Sequence, residues 1–127
     1  MKYKELDITI PFNEEDSKKH IEEDYNVINK EGIDNIIKKQ FIPWLLGDQF
    51  KDKDVDKVFD GLKTYEALYH YGKIVAKYSP THEDNYFGQF EFCFESCNDY
   101  TSDILEAAAM QIYVLNGSIV KVSGYDI

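Results

Sequence analysis

The spacing of apolar residues changes near Thr64, and this change constrains the fold more than any other feature of the sequence. Before it, apolar residues recur at three- and four-residue intervals, which is typical of amphipathic helices. After it, apolar and polar residues alternate, which is typical of half-buried strands. We therefore predict an α+β fold, in which N-terminal helices pack on one face of an antiparallel β-sheet formed mainly by residues 64–127.

The most regular strand pattern of the chain is "FGQFEFCFES" at residues 87–96. Phe90, Phe92 and Phe94 fall on one face of this predicted strand. Glu91 and Glu95 fall on the other face, because side chains alternate along a strand. The sequence does not show which of these two faces the helices cover.

A hairpin is predicted to end the sheet. Asn116-Gly117 is typical of a two-residue hairpin turn, which needs positive φ at both positions. We expect it to join a strand near 109–115 to a returning strand over 118–125.

Residues 101–110 are ambiguous, because the alanines favour helix while "MQIYV" favours strand. Upstream, the alternating segments on either side of Gly72 predict two strands or one bent strand.

The first part of the chain predicts a short strand and a helix. "ELDITIP" at residues 5–11 alternates apolar and polar residues and is closed by Pro11. Asn13 or Asp16 would cap the start of a helix that ends at Gly32. Its buried side chains are expected to be Ile21, Tyr25 and Ile28.

Two more helices are predicted before the sheet. The first begins at Ile33 and carries apolar residues at helical spacing as far as Leu45, with a kink or an end near Ile42 because of Pro43. The second covers roughly residues 52–62. Its buried side chains are expected to be Val55, Val58, Phe59 and Leu62.

Length and composition indicate one domain, residues 1–127, with a packed core. The chain has 127 residues, of which 43% are hydrophobic and 15% aromatic. A disordered acidic chain would be poor in aromatic residues.

The charge balance argues against nucleic acid as a ligand. The net charge is −10, and all 14 cationic side chains are lysines. Nucleic-acid binding depends largely on neutralising phosphates, and arginine is the side chain that clamps them with two parallel hydrogen bonds. We therefore expect no nucleic-acid partner and no phosphoryl-transfer activity.

The sequence also argues against a membrane or secreted setting. Its N-terminus has no apolar stretch of signal-peptide length, and no run approaches the roughly 18 apolar residues of a membrane span. Cys93 and Cys97 are too few for a disulfide framework. A cytoplasmic protein with free thiols is the expectation.

Two segments resemble metal sites but lack essential ligands. "KDKDVDKVFDG" at residues 51–61 has alternating aspartates like a calcium loop, yet Lys57 occupies the position of the glycine and Lys63 that of the bidentate glutamate. Cys93 and Cys97 with His82 lack a second close pair of zinc ligands. We therefore predict no metal, no cofactor and no catalytic residue, and interpret residues 51–61 as a capped, acid-rich helix start.

The strongest candidate for a binding surface is an acidic and aromatic face in the second half. Lysines at positions 73 and 77 would pair with part of it, and the remainder would attract a basic protein by electrostatic steering. Tyrosines in the same half suit an interface, because they give contact area with little loss of entropy. The predicted binding residues are Glu83, Asp84, Tyr86, Glu91, Glu95, Asp99 and Asp103.

The C-terminal half resembles small acidic bacterial domains of unknown function. The resemblance is carried by "YGKIVAKYSPTHEDNYFGQFEF" and "AMQIYVLNGSIVKVSGYDI", a hairpin with a polar loop followed by the Asn-Gly hairpin. Some such domains are encoded near secreted toxin systems. The resemblance implies a bacterial protein with an immunity-like role, and it carries no catalytic motif.

These observations leave three hypotheses. The first is a non-enzymatic acidic protein-binding module, of the immunity or inhibitor type, for a basic partner. The second is a small-molecule or metal-dependent enzyme using the polar loop at residues 81–87 with His70 or Cys93. The third is a structural domain that acts as a homo-oligomer, for example by adding an exposed edge strand at residues 5–10 to a neighbour.

Overall fold

The computed structural model describes residues 2–3, 6–9, 14–73, 86–115 and 117–126. Helices and short helical turns occupy the middle of the first half, and four long strands follow. The helical elements are α1 (Glu14–Glu31), α2 (Ile33–Ile36), a π-helical turn (Ile37–Phe41), α3 (Ile42–Leu46), a 3-10 turn (Gly47–Lys51), α4 (Val55–Asp60) and α5 (Asp99–Ser102). The strands are β1 (Lys2–Tyr3), β2 (Leu6–Thr9), β3 (Leu62–Lys73), β4 (Tyr86–Ser96), β5 (Ala107–Leu115) and β6 (Ser118–Asp126).

The first helix confirms the predicted stripe. Ile21, Tyr25 and Ile28 are all buried, at the three- and four-residue spacing that places them on one face of α1. Gly32 then adopts φ +92°, a backbone conformation that residues with a Cβ rarely take, and this turn of the backbone separates α1 from α2. The predicted helix end at Gly32 is confirmed.

The helix that follows contains the predicted irregularity at Pro43. α2 continues through the π-helical turn Ile37–Phe41 into α3, which has Pro43 in its first turn. Proline lacks an N–H and its ring clashes with the carbonyl four residues earlier, so the wider turn accommodates it without breaking the helix.

α4 shows what the acid-rich stretch at residues 51–61 does. Asp54 is the N-cap, and its Oδ1 accepts hydrogen bonds from the backbone amides of Asp56 at 3.0 Å and Lys57 at 3.3 Å. This satisfies amides that a helix start leaves without partners. Val58, which belongs to α4, is fully buried.

The sheet is open and six-stranded, in the order β1-β2-β3-β4-β5-β6. β3 to β6 form an antiparallel meander. β2 runs parallel to β3, with Ile8 opposite Ala67, and β1 pairs with the other side of β2. The expectation that residues 5–10 form an exposed edge is therefore wrong for Leu6–Thr9, because β2 is paired on both sides.

The described strands answer two points that the sequence left open and confirm the predicted hairpin. β3 runs through Gly72 as one strand, and the segment that follows Lys73 lies outside the described residues until Tyr86. The helical turn near residues 101–110 is α5, and β5 begins at Ala107. Leu115 pairs with Ser118, and Gly117 has φ +79°, as the predicted hairpin requires.

The helices cover the phenylalanine face of the sheet, a point that the sequence left open. Phe90, Phe92 and Phe94 are buried, together with Met110 and Ile112 on β5, and they form one cluster with the buried residues of α1 and the helices after it. None of the helices in the described part of the chain is long and apolar enough to cross a membrane.

Candidate functional site

The face of the sheet that the helices leave uncovered is organised in rows of directly opposed residues. One row crosses from Glu66 on β3 through Cys93 and Ala109 to Tyr125 on β6. Opposed residues of an antiparallel sheet share a face, so this row lies opposite the phenylalanines. We call this side of the sheet the outer face.

A cluster of carboxylates and tyrosines lies on the outer face. Glu91 and Glu95 come from β4, one row on either side of Cys93, and Glu66 comes from β3. Tyr65 stands next to Glu66 at an irregularity between Thr64 and Glu66. We name this cluster the outer-face patch; it consists of Tyr65, Glu66, Glu91, Cys93, Glu95 and Tyr125.

The two tyrosines of the outer-face patch are half exposed. Tyr65 is 47% exposed and Tyr125 is 42% exposed, and both are among the largest exposed apolar side chains of the described residues. Beneath them, Cys93 and Ala109 are buried although they belong to the outer face. The outer-face patch is therefore a layer of aromatic rings over a small apolar floor, surrounded by carboxylates.

A hydrogen bond connects strands β4 and β6 across this patch. The Tyr125 hydroxyl donates to Glu91 Oε1 and spans β5, which lies between them. The small side chain of Ala109 leaves room for this reach. The bond to Glu91, aided by burial, raises the pKa of Tyr125 to about 12, so the hydroxyl stays protonated and remains a donor at neutral pH.

Cys93 is poorly suited to nucleophilic chemistry. Burial raises the pKa of its thiol, and the nearby charges of Glu91 and Glu66 raise it further, while the bond from Tyr65 acts in the opposite direction. The thiolate is the reactive form of cysteine, so a raised pKa keeps Cys93 inert. Cys93 and Cys97 are both free thiols, as expected.

The structure places the predicted binding residues in three different settings. Glu91 and Glu95 lie in the outer-face patch, as their alternation in the sequence indicated. Asp99 and Asp103 lie on α5 and at its C-cap, off the sheet face, and both are exposed. Tyr86 begins β4, where it pairs with Lys73. Glu83 and Asp84 lie outside the described residues.

Sequence reasoning missed Glu66, Tyr65 and Tyr125 as members of one cluster. Glu66 occupies a polar position of the alternating segment "YEALYHY", which was a usable signal. Tyr65 joins it only because the β3–β4 register shifts there. Tyr125 joins it only through the strand order, which no local pattern specifies.

A second polar cluster lies on the helix side of the sheet, between α1 and β3. The hydroxyl of Tyr69, a fully buried residue, donates to Asp24 Oδ2. Burial raises the pKa of Asp24, while the bond from Tyr69 and the charge of His20 act to lower it. Burial and the Asp24 carboxylate hold the pKa of Tyr69 far above its usual range, so Tyr69 is a permanent donor.

A ring contact and a glycine lie beside the Tyr69–Asp24 pair. The His20 ring stacks on Tyr71 at 4.2 Å between centroids, with an interplanar angle of 11°. Gly88 on β4 leaves the space that the pair occupies, because a Cβ there would lie 2.6 Å from the Tyr69 hydroxyl. The sequence carried one signal for this pair: Asp24 follows Ile21 by three positions and so falls on the buried stripe of α1.

Within the residues that the structure describes, no three histidine, cysteine, aspartate or glutamate side chains converge as a metal site. His70 belongs to the outer face, in a row with Gln89, Tyr113 and Lys121. His20 is on the opposite side of the sheet, against Tyr71.

Comparison with known proteins gives no identification: no family model, no curated protein and no solved structure matches this chain.

Proposed function

We propose that the protein is a non-enzymatic protein-binding module, of the immunity or inhibitor type, which holds a basic partner protein on its outer-face patch. The observation that carries the proposal is the outer face itself. Its floor is apolar and buried, while Tyr65 and Tyr125 stand half exposed above it and three glutamates surround them.

Charge supports a basic partner. The chain has a net charge of −10, and Glu66, Glu91 and Glu95 add a local concentration of carboxylates to this overall field. Such a field accelerates the approach of an oppositely charged protein and selects against acidic ones. Lysine 63, which pairs with Glu95 across the β3–β4 ladder, offsets part of this charge at one end of the patch.

The aromatic rings support a protein rather than a simple counterion. Tyrosines are enriched among residues that dominate binding energy, because they bury a large rigid surface and keep a polar hydroxyl. The hydroxyl of Tyr125 is already oriented by Glu91. The ring therefore enters a complex in a fixed position, which lowers the entropy lost on binding.

The experiment compares two triple variants of equal charge. One removes the patch carboxylates by Glu66→Gln, Glu91→Gln and Glu95→Gln. The control removes three exposed acids from the helical side, by Glu15→Gln, Glu22→Gln and Asp48→Asn. Both change the net charge from −10 to −7, so general electrostatic attraction is matched.

The partner is first isolated from cells of the source organism with the immobilised chain, identified and purified. Its affinity for each variant is then measured at about 50 mM and about 500 mM salt. We expect the patch variant to bind at least about tenfold more weakly than the control, mainly at low salt. Salt-insensitive binding, equal losses in both variants, or the failure to isolate any basic partner would each refute the proposal.

A further inference from the structure

Among the described strands, β6 forms a long open edge of the sheet. β6, residues Ser118–Asp126, pairs with β5 on one side, and no other strand in the described part of the chain pairs with its second side. Its register with β5 is continuous over residues 121–126. Alternate residues of such a strand direct their N–H and C=O groups away from the existing partner. This edge therefore presents backbone donors and acceptors in the spacing that another strand requires.

The edge has few of the features that normally prevent strand addition. Exposed edges are commonly protected by proline, by lysine, by bulges or by a covering segment. β6 has no proline and one lysine, and the Nζ of that lysine, Lys121, lies 5.8 Å from the centroid of the Tyr113 ring on the outer face. The register shift opposite Val120 protects one end only, and Val120 itself is 44% exposed.

A cleft of about 480 Å³ runs along the helix side of β6. It separates the strand from α1 and from the π-helical turn, and its open side faces solvent. Its lining combines apolar residues with two lysines, one glutamate, one glutamine and one serine. The lining residues are Val27, Lys30, Glu31, Gln40 and residues 117–122.

Trp44 forms a second wall farther along the same strand. Its ring stands over Gly124, where a Cβ would lie 2.7 Å from Trp44 Cζ3, and stacks on Phe41 at 5.8 Å between centroids. The Trp44 side chain is nevertheless 46% exposed. Gly124 and Val120 are four positions apart, about 13 Å along a strand, which is also the spacing of two side chains on one face of an added strand.

We propose that the edge of β6 accepts an extended segment of a partner protein as an additional strand, with alternate apolar side chains directed at the cleft and at Trp44. Backbone hydrogen bonds would supply affinity, and the two apolar walls would select the side chains. The edge is a different surface from the outer-face patch, and only the basic character of the partner rests on the proposed function.

Charge favours a partner protein over a second copy as the source of this strand. Two copies joined at β6 would each bring a net charge of −10 into one continuous sheet. A segment of a basic protein brings the opposite charge and gains from the same field.

The test uses a short peptide of alternating lysine and valine, and the fluorescence of Trp44, the one tryptophan of the chain. We expect saturable binding with a blue shift of the emission, because the added strand covers the exposed side of the ring. Two further peptides carry N-methyl groups on the valine amides or on the lysine amides. In an added strand, either the valine amides or the lysine amides face β6, because alternate residues direct their N–H groups to opposite sides. Methylation of the amides that face β6 should weaken binding at least about tenfold, while methylation of the other amides should leave it within about twofold of the parent peptide.

Variants at Val120 provide a matched pair. Val120→Lys places a cation on the edge and should weaken binding of the cationic peptide at least about fivefold. Val120→Thr keeps a residue that favours strands and should leave the affinity for the peptide nearly unchanged. The triple variant that removes the patch carboxylates should still bind one of the two N-methylated peptides much more weakly than the parent peptide. That result separates this proposal from the proposed function, which depends on those carboxylates.

Absence of peptide binding, or equal weakening by both N-methylated peptides, would overturn the proposal. A dimer of the free protein that dissociates on Val120→Lys would also overturn it, by assigning the edge to a second copy. Sedimentation velocity over a range of protein concentrations makes that measurement.

Discussion

The Tyr69–Asp24 pair offers the sharpest test of how this fold is stabilised. Tyr69 is fully buried and donates to a carboxylate whose pKa is raised by burial. Tyr69→Phe removes the donor and leaves the carboxylate in place. Hydrogen bonds to charged groups contribute about 1.5–3 kcal/mol, and the partial exposure of Asp24 allows water to replace part of the loss. We expect a cost of about 1.5–2 kcal/mol at neutral pH.

The cost should depend on pH in a defined direction. Because the pKa of Asp24 is raised above its usual 3.8, the folded state holds this proton more tightly than the unfolded state. The protonated Asp24 carboxyl group therefore contributes fully to stability below pH 3.8. This contribution is lost as the pH rises through the pKa that Asp24 has in the folded state. The bond from Tyr69 lowers this pKa, so its removal raises the pKa further and enlarges the loss. Tyr69→Phe should thus cost more at about pH 7.5 than at about pH 4.

Other titratable groups near the carboxylate set the design of the assay. His20 lowers the pKa of Asp24 by its positive charge, and Glu23 raises it. Both are present in the wild type and in the variant, so the difference in unfolding free energy between the two isolates the Tyr69 hydroxyl. Urea unfolding at each pH gives that difference, and a cost of this size also lowers the melting temperature by about 5–10 °C.

Two further variants complete the comparison. In an Asp24→Asn background, Tyr69→Phe should cost only about 0.5–1.5 kcal/mol, with no pH dependence, because the acceptor is neutral. Tyr113→Phe is the control, since its hydroxyl donates to Gln111 at 3.3 Å on the outer face, and we expect a cost below about 0.5 kcal/mol. A pH-independent cost of Tyr69→Phe, or one no larger than that of Tyr113→Phe, would show that the reasoning is wrong.

Three other predictions concern separate parts of the molecule. Gly88→Ala should lower the unfolding free energy by about 1–3 kcal/mol, because its Cβ would lie 2.6 Å from a buried tyrosine hydroxyl; an unchanged denaturation midpoint would contradict this. Asp54→Ala should cost about 1 kcal/mol through loss of the α4 cap, whereas Asp52→Ala, two positions away and exposed, should stay within about 0.5 kcal/mol in the same thermal melts. A thiol reagent should label exposed Cys97 in the native protein at least about tenfold faster than buried Cys93, and comparable rates would refute the inert state inferred for Cys93.

The local elements were predictable because each depends on a short stretch of sequence. The buried stripe of α1, the helix end at Gly32 and the alternation of β4 follow from spacing and from glycine's freedom at positive φ. The irregularity near Pro43 follows from the missing N–H of proline. These patterns were sufficient to predict the α+β class, but not which face of the sheet the helices cover.

The parts that were not predictable depend on pairing between distant residues. Nothing local indicates that β2 runs parallel to β3, or that an irregularity at Thr64 turns Tyr65 toward the patch. The candidate site shows the same division. Alternation was enough to place Glu91 on the face opposite the phenylalanines, whereas its bond to Tyr125 requires β5 and β6 to lie in order beside β4.

The parallel pairing of β2 with β3 has a consequence for how the molecule assembles. The hairpins from β3 to β6 join neighbours in sequence, and contacts of that kind close early and rapidly. Ile8 meets Ala67 only after the chain has crossed the whole helical segment, so this contact carries a large loop-closure entropy. We infer that β2 docks last during folding and detaches first under mild denaturant, and that its amides exchange with solvent before those of the meander.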